Sequence, residues 1–278
     1  MSYEVYRMTN QDITKMPLKL LYITHTAYDK GWHSTKHTHH FTELFYIVKG
    51  KGVILLQNQE VPVKENDLVI INPNVEHTEK SNSLDSLEYI ALGIEGLSFS
   101  LPDEEESQMG LFTYHGDQKD ILFYLNKLLH EIKQNDDDYE IVCQNIIEIL
   151  IIKLRRDKKF TLTKTETKNL NRSVSLIQHY LNQNYREDIS LDSLAEIGHI
   201  NKFYLAHTFK KDIGVSPIEY LQKVRVREAK LLLETTNYSI ASIAEIVGFS
   251  SQSFFTQSFK RFTDQTPSKY RKEVKKDG

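Results

Sequence analysis

The chain has 278 residues, 40% of them hydrophobic, and a formal net charge of −3, which suits two ordinary domains with cores of their own. The unbroken apolar run of about 18 residues that a membrane helix needs is absent. The stretch from Met1 to Tyr6 has neither the basic head nor the apolar core of a signal peptide. A single cysteine, Cys143, excludes an intramolecular disulfide and fits a reducing cytoplasm; its apolar helical setting reads as core.

The charge is unevenly spread. From Lys164 onward there are 18 Lys and Arg against 13 Asp and Glu, net +5, while the remainder carries 17 against 25, net −8. A basic C-terminal part attached to an acidic N-terminal part is consistent with a phosphate-binding module joined to something else.

Residues 1 to about 100 read as β-structure. Leu20 to Thr24, Phe45 to Val48, Gly52 to Leu56 and Leu68 to Ile71 are short runs rich in β-branched and aromatic residues. Lys49 to Gly52 and Asn58–Gln59 read as turns. Strands this short and closely spaced predict an antiparallel barrel or jelly roll. Gly31, His37, His39, Glu43 and Gly50 have a spacing that resembles the first cupin motif, and Asp67 to Pro73 followed by His77 is similar to the second. Asn66 and Asn74 stand where glycines are common; Asn tolerates positive φ, so the turns survive. In metal-dependent cupins the positions matching His37, His39, Glu43 and His77 bind a divalent ion. A His-x-His pair on a strand puts both rings on one face, and imidazoles with a carboxylate suit Fe, Mn, Zn or Ni. Alternatively these four are polar groups that hydrogen-bond a ligand or one another. His33 and His40 read as surface residues. Trp32, the sole tryptophan, lines the pocket or serves the core or rim.

Asp103 to Glu106 reads as a solvated acidic loop. Two helices follow, over about 117–134 and 139–156. The second is apolar nearly all round, from Ile141 to Ile152, which predicts burial on more than one side. Residues 1–157 thus form one domain, 158–171 a polar linker and 172–278 a second domain that opens with a helix over Arg172 to Asn184.

The second domain says one thing twice. Ser190 to Ile197, Tyr204 to Lys210 and Pro217 are answered, about 50 residues later, by Ser239 to Ile246, Phe254 to Lys260 and Pro267. Each copy parses as a helix-turn-helix. Ser190, Asn201, Ser216, Ser239 and Ser250 or Ser251 are N-cap candidates; Gly248 suits the positive φ that ends a helix. Pro217 opens a long helix to about Glu234. The residues Leu194–Ala195, Phe209–Lys210, Gly214 to Leu221, Arg225, Ala229, Leu232–Leu233, Ile243–Ala244, Val247 to Phe249, Phe254–Phe255, Phe259–Lys260 and Pro267 to Arg271 resemble the DNA-binding domain of the AraC/XylS family of bacterial transcription regulators.

That resemblance implies an α+β protein of two domains, a cupin-like barrel with a helix pair and an all-α double helix-turn-helix. It implies a cytoplasmic, non-enzymatic, effector-responsive regulator of double-stranded DNA. The helix pair then supports a homodimer, or else packs on the barrel alone. Sensor domains of this family usually hold an effector such as a sugar, here expected at Trp32, His37, His39, Glu43 and His77, with no cofactor required. The alternative is a metal at His37, His39, Glu43 and His77, in a metal-dependent enzyme or metal sensor fused to the DNA-binding domain. Base-edge candidates carried over from the motifs are Asn201, Ala206 and His207 in the first recognition helix, which opens at Lys202. In the second they are Ser251, Gln252, Ser253, Thr256 and Gln257. Lys210, Lys260, Arg261 and the tail from Lys269 to Lys276 are phosphate candidates, with Lys202 beside them.

Overall fold

The computed structural model describes residues 4, 16–28, 35–57, 59–82, 84–101, 107–113, 118–158, 160–165 and 171–274. Nine strands come first: β1 (Lys19–Ala27), β2 (Thr42–Lys49), β3 (Lys51–Leu56), β4 (Glu60–Lys64), β5 (Asp67–Ile71), β6 (His77–Ser81), β7 (Glu88–Glu95), β8 (Leu97–Ser100) and β9 (Met109–Thr113). Helices α1 (Gln118–Gln134) and α2 (Tyr139–Lys158) and strand β10 (Thr161–Lys164) complete the N-terminal domain. The C-terminal domain comprises α3 (Arg172–Gln183), α4 (Leu191–Ile197), α5 (Lys202–Ile213), α6 (Pro217–Thr235), α7 (Ile240–Ile246), α8 (Gln252–Thr263) and α9 (Pro267–Val274).

The strands form an antiparallel five-stranded sheet in the order β1-β7-β2-β5-β9 and a three-stranded sheet in the order β4-β3-β6, with β8 paired to β10. The larger sheet is covered on both faces. Leu44, Tyr46, Leu68, Ile70, Ile90 and Leu92 pack under α1 and α2 with Leu125, Leu128, Ile147 and Leu150. Phe45, Ile47, Val69, Ile71, Tyr89 and Ala91 turn inward against Ile54, Leu56, Val61 and Val63 of the smaller sheet. Double coverage explains why β2 and β5 read as continuous apolar runs rather than alternating ones. Asn66 and Asn74 sit at φ 72° and 65°, as the cupin turns require.

Two expectations are corrected here. Thr161–Lys164 is not linker: it pairs with Leu97–Ser100, and Phe160 is buried against Phe99 and Phe112. Two apolar side chains amid the Lys and Thr residues, Phe160 and the partly buried Leu162, pin the strand to the core. Nor is α2 buried all round. Cys143, Ile147, Leu150, Ile151 and Leu154 face the core, whereas Ile141, Val142 and Ile149 are exposed.

In the C-terminal domain the sequence punctuation holds. Asn171, Ser190, Asn201, Ser216, Ser239 and Ser251 each accept a main-chain N–H as N-cap. Helix α6 runs through the middle and packs against α3, α5, α7, α8 and α9. Its Leu221, Val224, Ala229 and Leu233 join Ile177, Leu181, Leu194, Phe209, Ile243, Phe255 and Phe259 in one core.

Gly248 ends the second copy's first helix at φ 86°, and a Cβ there would lie 2.6 Å from the Arg186 carbonyl oxygen. Gly214 has φ 88° but open space around it. Gly214→Ala is therefore expected to cost only the left-handed penalty of roughly 1–2 kcal/mol. Gly248→Ala should cost about 1–3 kcal/mol more because backbone must move. Urea unfolding of the two variants side by side checks the difference.

Candidate functional site

Four of the expected pocket residues converge. Glu43 lies on β2 with the inward parity of Phe45 and Ile47, and His77 opens β6 of the facing sheet. The segment before β2 is tied to β6 by an isolated bridge, with His37 N donating to His77 O at 2.9 Å and His77 N to His37 O at 3.0 Å. One ligand atom from each of His37, His39, Glu43 and His77 can be chosen so that all lie within 4.8 Å of one another, and all four residues are buried. Trp32, with Gly31 and His33, lies outside the described residues. His40 is exposed and contacts Asn74, as a surface residue should.

The proton arrangement follows from the partners. His37 Nδ1 faces Thr35 O at 2.7 Å, His39 Nδ1 faces Phe41 O at 2.7 Å and His77 Nδ1 faces Val75 O at 3.0 Å. A carbonyl only accepts, so each Nδ1 donates and each neutral ring offers a lone pair at Nε2. Yet His39 Nε2 and His77 Nε2 point at the same carboxylate oxygen, Glu43 Oε2, at 2.9 and 3.1 Å. An ionised carboxylate also only accepts. Either both imidazoles carry a second proton, or a cation stands in place of the two. His37 Nε2 is buried with no hydrogen-bond partner. Burial, then the neighbouring His77, hold His37 well below the ordinary imidazole range, so it is neutral. Burial alone would raise the Glu43 carboxyl; His39, His179 and His77 outweigh it and hold it well below the carboxylate range. Burial would lower His77, but the hydrogen bond and charge of Glu43 raise it.

These residues fit a divalent transition metal. The three imidazoles have Nδ1 anchored on main-chain carbonyls and Nε2 directed at a shared space beside a carboxylate, the orientation that metal-binding histidines adopt. They fit a sugar poorly in this arrangement. The space bounded by Tyr22, His37, His39, Phe41, His179 and Asn182 is about 10 Å³, one water-sized body. The inward faces of the two sheets, beside this space, meet in a packed aromatic and aliphatic core.

The sequence reading missed the rest of the site. Tyr22 on β1 donates its hydroxyl to Glu43 Oε1. It reaches Glu43 across Gly93, which pairs with both residues in register; a Cβ on Gly93 would meet the Tyr22 ring at 2.5 Å. His179 comes from α3 of the other domain, with Nδ1 3.1 Å from Glu43 Oε1 and 3.3 Å from the Tyr22 hydroxyl. Around it, Tyr28 donates to Gln183 Oε1 at 2.9 Å, Gln183 Nε2 to Glu79 Oε2 at 3.3 Å, and Arg227 on α6 to Thr35 Oγ1 at 2.7 Å. Arg172, Leu176, His179 and Gln183 recur at helical spacing and give α3 a second working face, toward α2 and the barrel of the N-terminal domain. That stripe was the available signal.

On the far side, α5 and α8 are open to solvent. His207, Lys210, Gln252, Ser253, Gln257, Lys260 and Arg261 are exposed, while Ala206 and Thr256 are half-buried. Others are engaged within the domain. Asn201 and Ser251 cap the helices, Thr256 bonds Gln252 O, Lys202 Nζ sits 2.8 Å from Asp192, and Arg261 bonds Gln222 at 2.8 Å. The exposed aromatic rings of Phe203, Tyr204 and Phe254 stand beside the candidate readers.

A model of a helix-turn-helix domain matches residues 194–273, and one of an AraC-like ligand binding domain matches residues 21–140. The HTH-type transcriptional regulator YdiP of Escherichia coli is 27% identical over 258 residues, covering 89% of this chain and 84% of that one. The bifunctional transcriptional activator/DNA repair enzyme AdaA of Bacillus subtilis is 41% identical over 102 residues, but the match spans 37% of this chain and only 48% of AdaA. Among solved structures, the C-terminal domain of the response regulator yesN from Fusobacterium nucleatum matches 35% of this chain and 95% of its own, at 37% identity and a TM-score of 0.34. The chain belongs to the AraC family of DNA-binding transcription regulators, with an AraC-like ligand-binding domain ahead of its helix-turn-helix domain.

Proposed function

We propose that this regulator reads operator DNA with α5 and α8 and responds to a divalent transition metal ion held by His37, His39, Glu43 and His77. The observation that carries the metal reading is the gathering of three buried imidazoles about Glu43, two with Nε2 on its Oε2 and the third, His37, with its Nε2 left without a hydrogen-bond partner. A bound ion would supply a fixed positive charge where the metal-free site needs two extra protons. A sugar effector, the expectation from the family, would need α3 to leave the barrel mouth first. Cytoplasmic location and a homodimer belong to the same reading. The exposed Ile141, Val142 and Ile149 on α2 support a dimer, since they lie on one side of a helix whose other side is core.

Recognition helices in successive major grooves on one face of a duplex lie roughly 34 Å apart. Gln252 and Gln257 suit adenine edges, and Lys210 and Lys260 suit phosphates. The aromatic side chains Phe203, Tyr204 and Phe254 offer apolar contact to thymine methyl groups.

Three measurements test these statements. Elemental analysis of protein purified without a chelating column should find one transition metal ion per chain, lost in His37→Ala; absence of any ion, with melting raised by a sugar, would return the site to the sugar reading. Gln252→Ala should relax preference at one base position by roughly 1–3 kcal/mol, whereas Lys260→Ala should weaken all sequences alike and lessen the salt dependence. Sedimentation should show a dimer at micromolar concentration that Ile149→Lys converts to monomer.

A further inference from the structure

Glu43 divides its two oxygens between two domains. Oε2 faces His39 and His77 of the barrel. Oε1 faces the Tyr22 hydroxyl and His179 Nδ1, and His179 belongs to α3 of the DNA-binding domain. The ring of His179 lies tilted on that of Tyr22, centroids 4.9 Å apart, and its Nε2 is 3.5 Å from Thr24 Oγ1. Leu176, one turn earlier on the same helix face, packs on Leu21, Tyr22 and Phe41. His179 is the only described side chain of the C-terminal domain within ion-pair distance of Glu43.

We infer that Glu43 is a latch between the ion site and the DNA-binding domain. Holding Oε2 at the ion fixes Oε1 where His179 meets it, so that ion binding and docking of α3 on the barrel strengthen each other. This rests on the metal reading above and adds to it a residue, His179, that no barrel motif contains.

The physical argument is one of geometry and linkage. A carboxylate side chain turns about its terminal torsion with little resistance. In the metal-free site three imidazoles and a phenol compete for it, and its plane is set by whichever holds it best. With an ion bound, that plane is set by the barrel side alone. The oxygen left over then has two donors to satisfy it, Tyr22 and His179, of which only His179 can leave. Undocking α3 would strip one donor from a fully buried carboxylate. A coupling of this kind is reciprocal: whatever the ion adds to docking, docking adds to ion affinity. Other polar contacts across the interface, among them Gln183 with Tyr28 and Glu79, Arg227 and Asn182 with Thr35, and Arg172 with Glu140, do not touch Glu43 and so should hold the domains with or without the ion.

The test uses the full chain, stripped with a chelator and reloaded with Zn²⁺ or Mn²⁺. Hydrogen exchange of the α3 amides and ion affinity, from competition with a chromophoric chelator, are read together. In the wild type, reloading should slow exchange over residues 173–183 about tenfold. His179→Ala should still bind one ion per chain, but about 10–100-fold more weakly, the usual effect of removing a residue that supports a metal ligand, and its α3 exchange should no longer respond to the ion. Gln183→Ala serves as the control for a merely loosened interface: it should speed α3 exchange in both states while leaving the ion's effect in place. Unchanged ion affinity in His179→Ala, together with α3 exchange that ignores the ion in the wild type, overturns the latch and leaves the metal site standing. Failure of the wild type to bind either ion overturns the metal reading and the latch with it. The melting temperature of stripped His179→Ala, within a few degrees of the stripped wild type, shows that the variant is folded.

Discussion

A carboxylate sealed inside a protein must be surrounded by donors or cations, because leaving it without them costs several kcal/mol. Glu43 is fully buried, and this requirement organises much of the molecule around it. It accounts for three histidines gathered from two segments of the barrel and for a tyrosine reaching across a glycine. It also accounts for a histidine contributed by another domain. None of these residues is explained by packing alone. The barrel's own core is elsewhere, in the aliphatic and aromatic layer between the sheets and in the layer beneath α1 and α2. The site occupies the end of the barrel where that filling stops.

The DNA-binding domain rests on a different device. Arg225 is buried in α6, and its guanidinium donates to Tyr185 O at 2.7 Å and Glu187 O at 2.6 Å. Burial pushes it down to about 10, still protonated at neutral pH. Those two carbonyls lie in the turn after α3, so Arg225 fastens the barrel-facing helix to the central one. Gly248 closes on the same turn through the Arg186 carbonyl. The helix that meets the barrel is therefore tied to α6, which lies between the two helix-turn-helix units and packs against both recognition helices.

Local chemistry was legible in the sequence. N-caps at Ser190, Asn201, Ser239 and Ser251, the glycine at 248 and the asparagines at 66 and 74 announce turns because their side chains or their permissive φ make those turns. The His-x-His and the distant His77 were legible as a set through the cupin spacing. What escaped was set by contacts remote in sequence. Tyr22 and His179 are 157 positions apart, and no periodicity in either segment says that they touch. Helix α3 carries one apolar stripe into its own domain, through Ile177 and Leu181, and its second face, half polar, resembles an ordinary solvated surface. The strand at Thr161–Lys164 hid in a run of Lys and Thr because its hydrogen bonds are made by main chain, which composition does not report.

That strand has a consequence for how far the DNA-binding domain can travel. With Lys164 fixed to β8, only the seven residues from Thr165 to Asn171 separate the barrel from α3, and at about 3.3–3.6 Å per residue they reach roughly 25 Å when fully drawn out. A leash shorter than one turn of duplex keeps the two domains at a local concentration on the order of millimolar. Contacts that would fail to hold two free proteins together at cellular concentrations are then sufficient to keep α3 seated for a sizeable share of the time. The interface at the barrel mouth can be small, polar and easily released, and still be populated without a ligand to hold it shut.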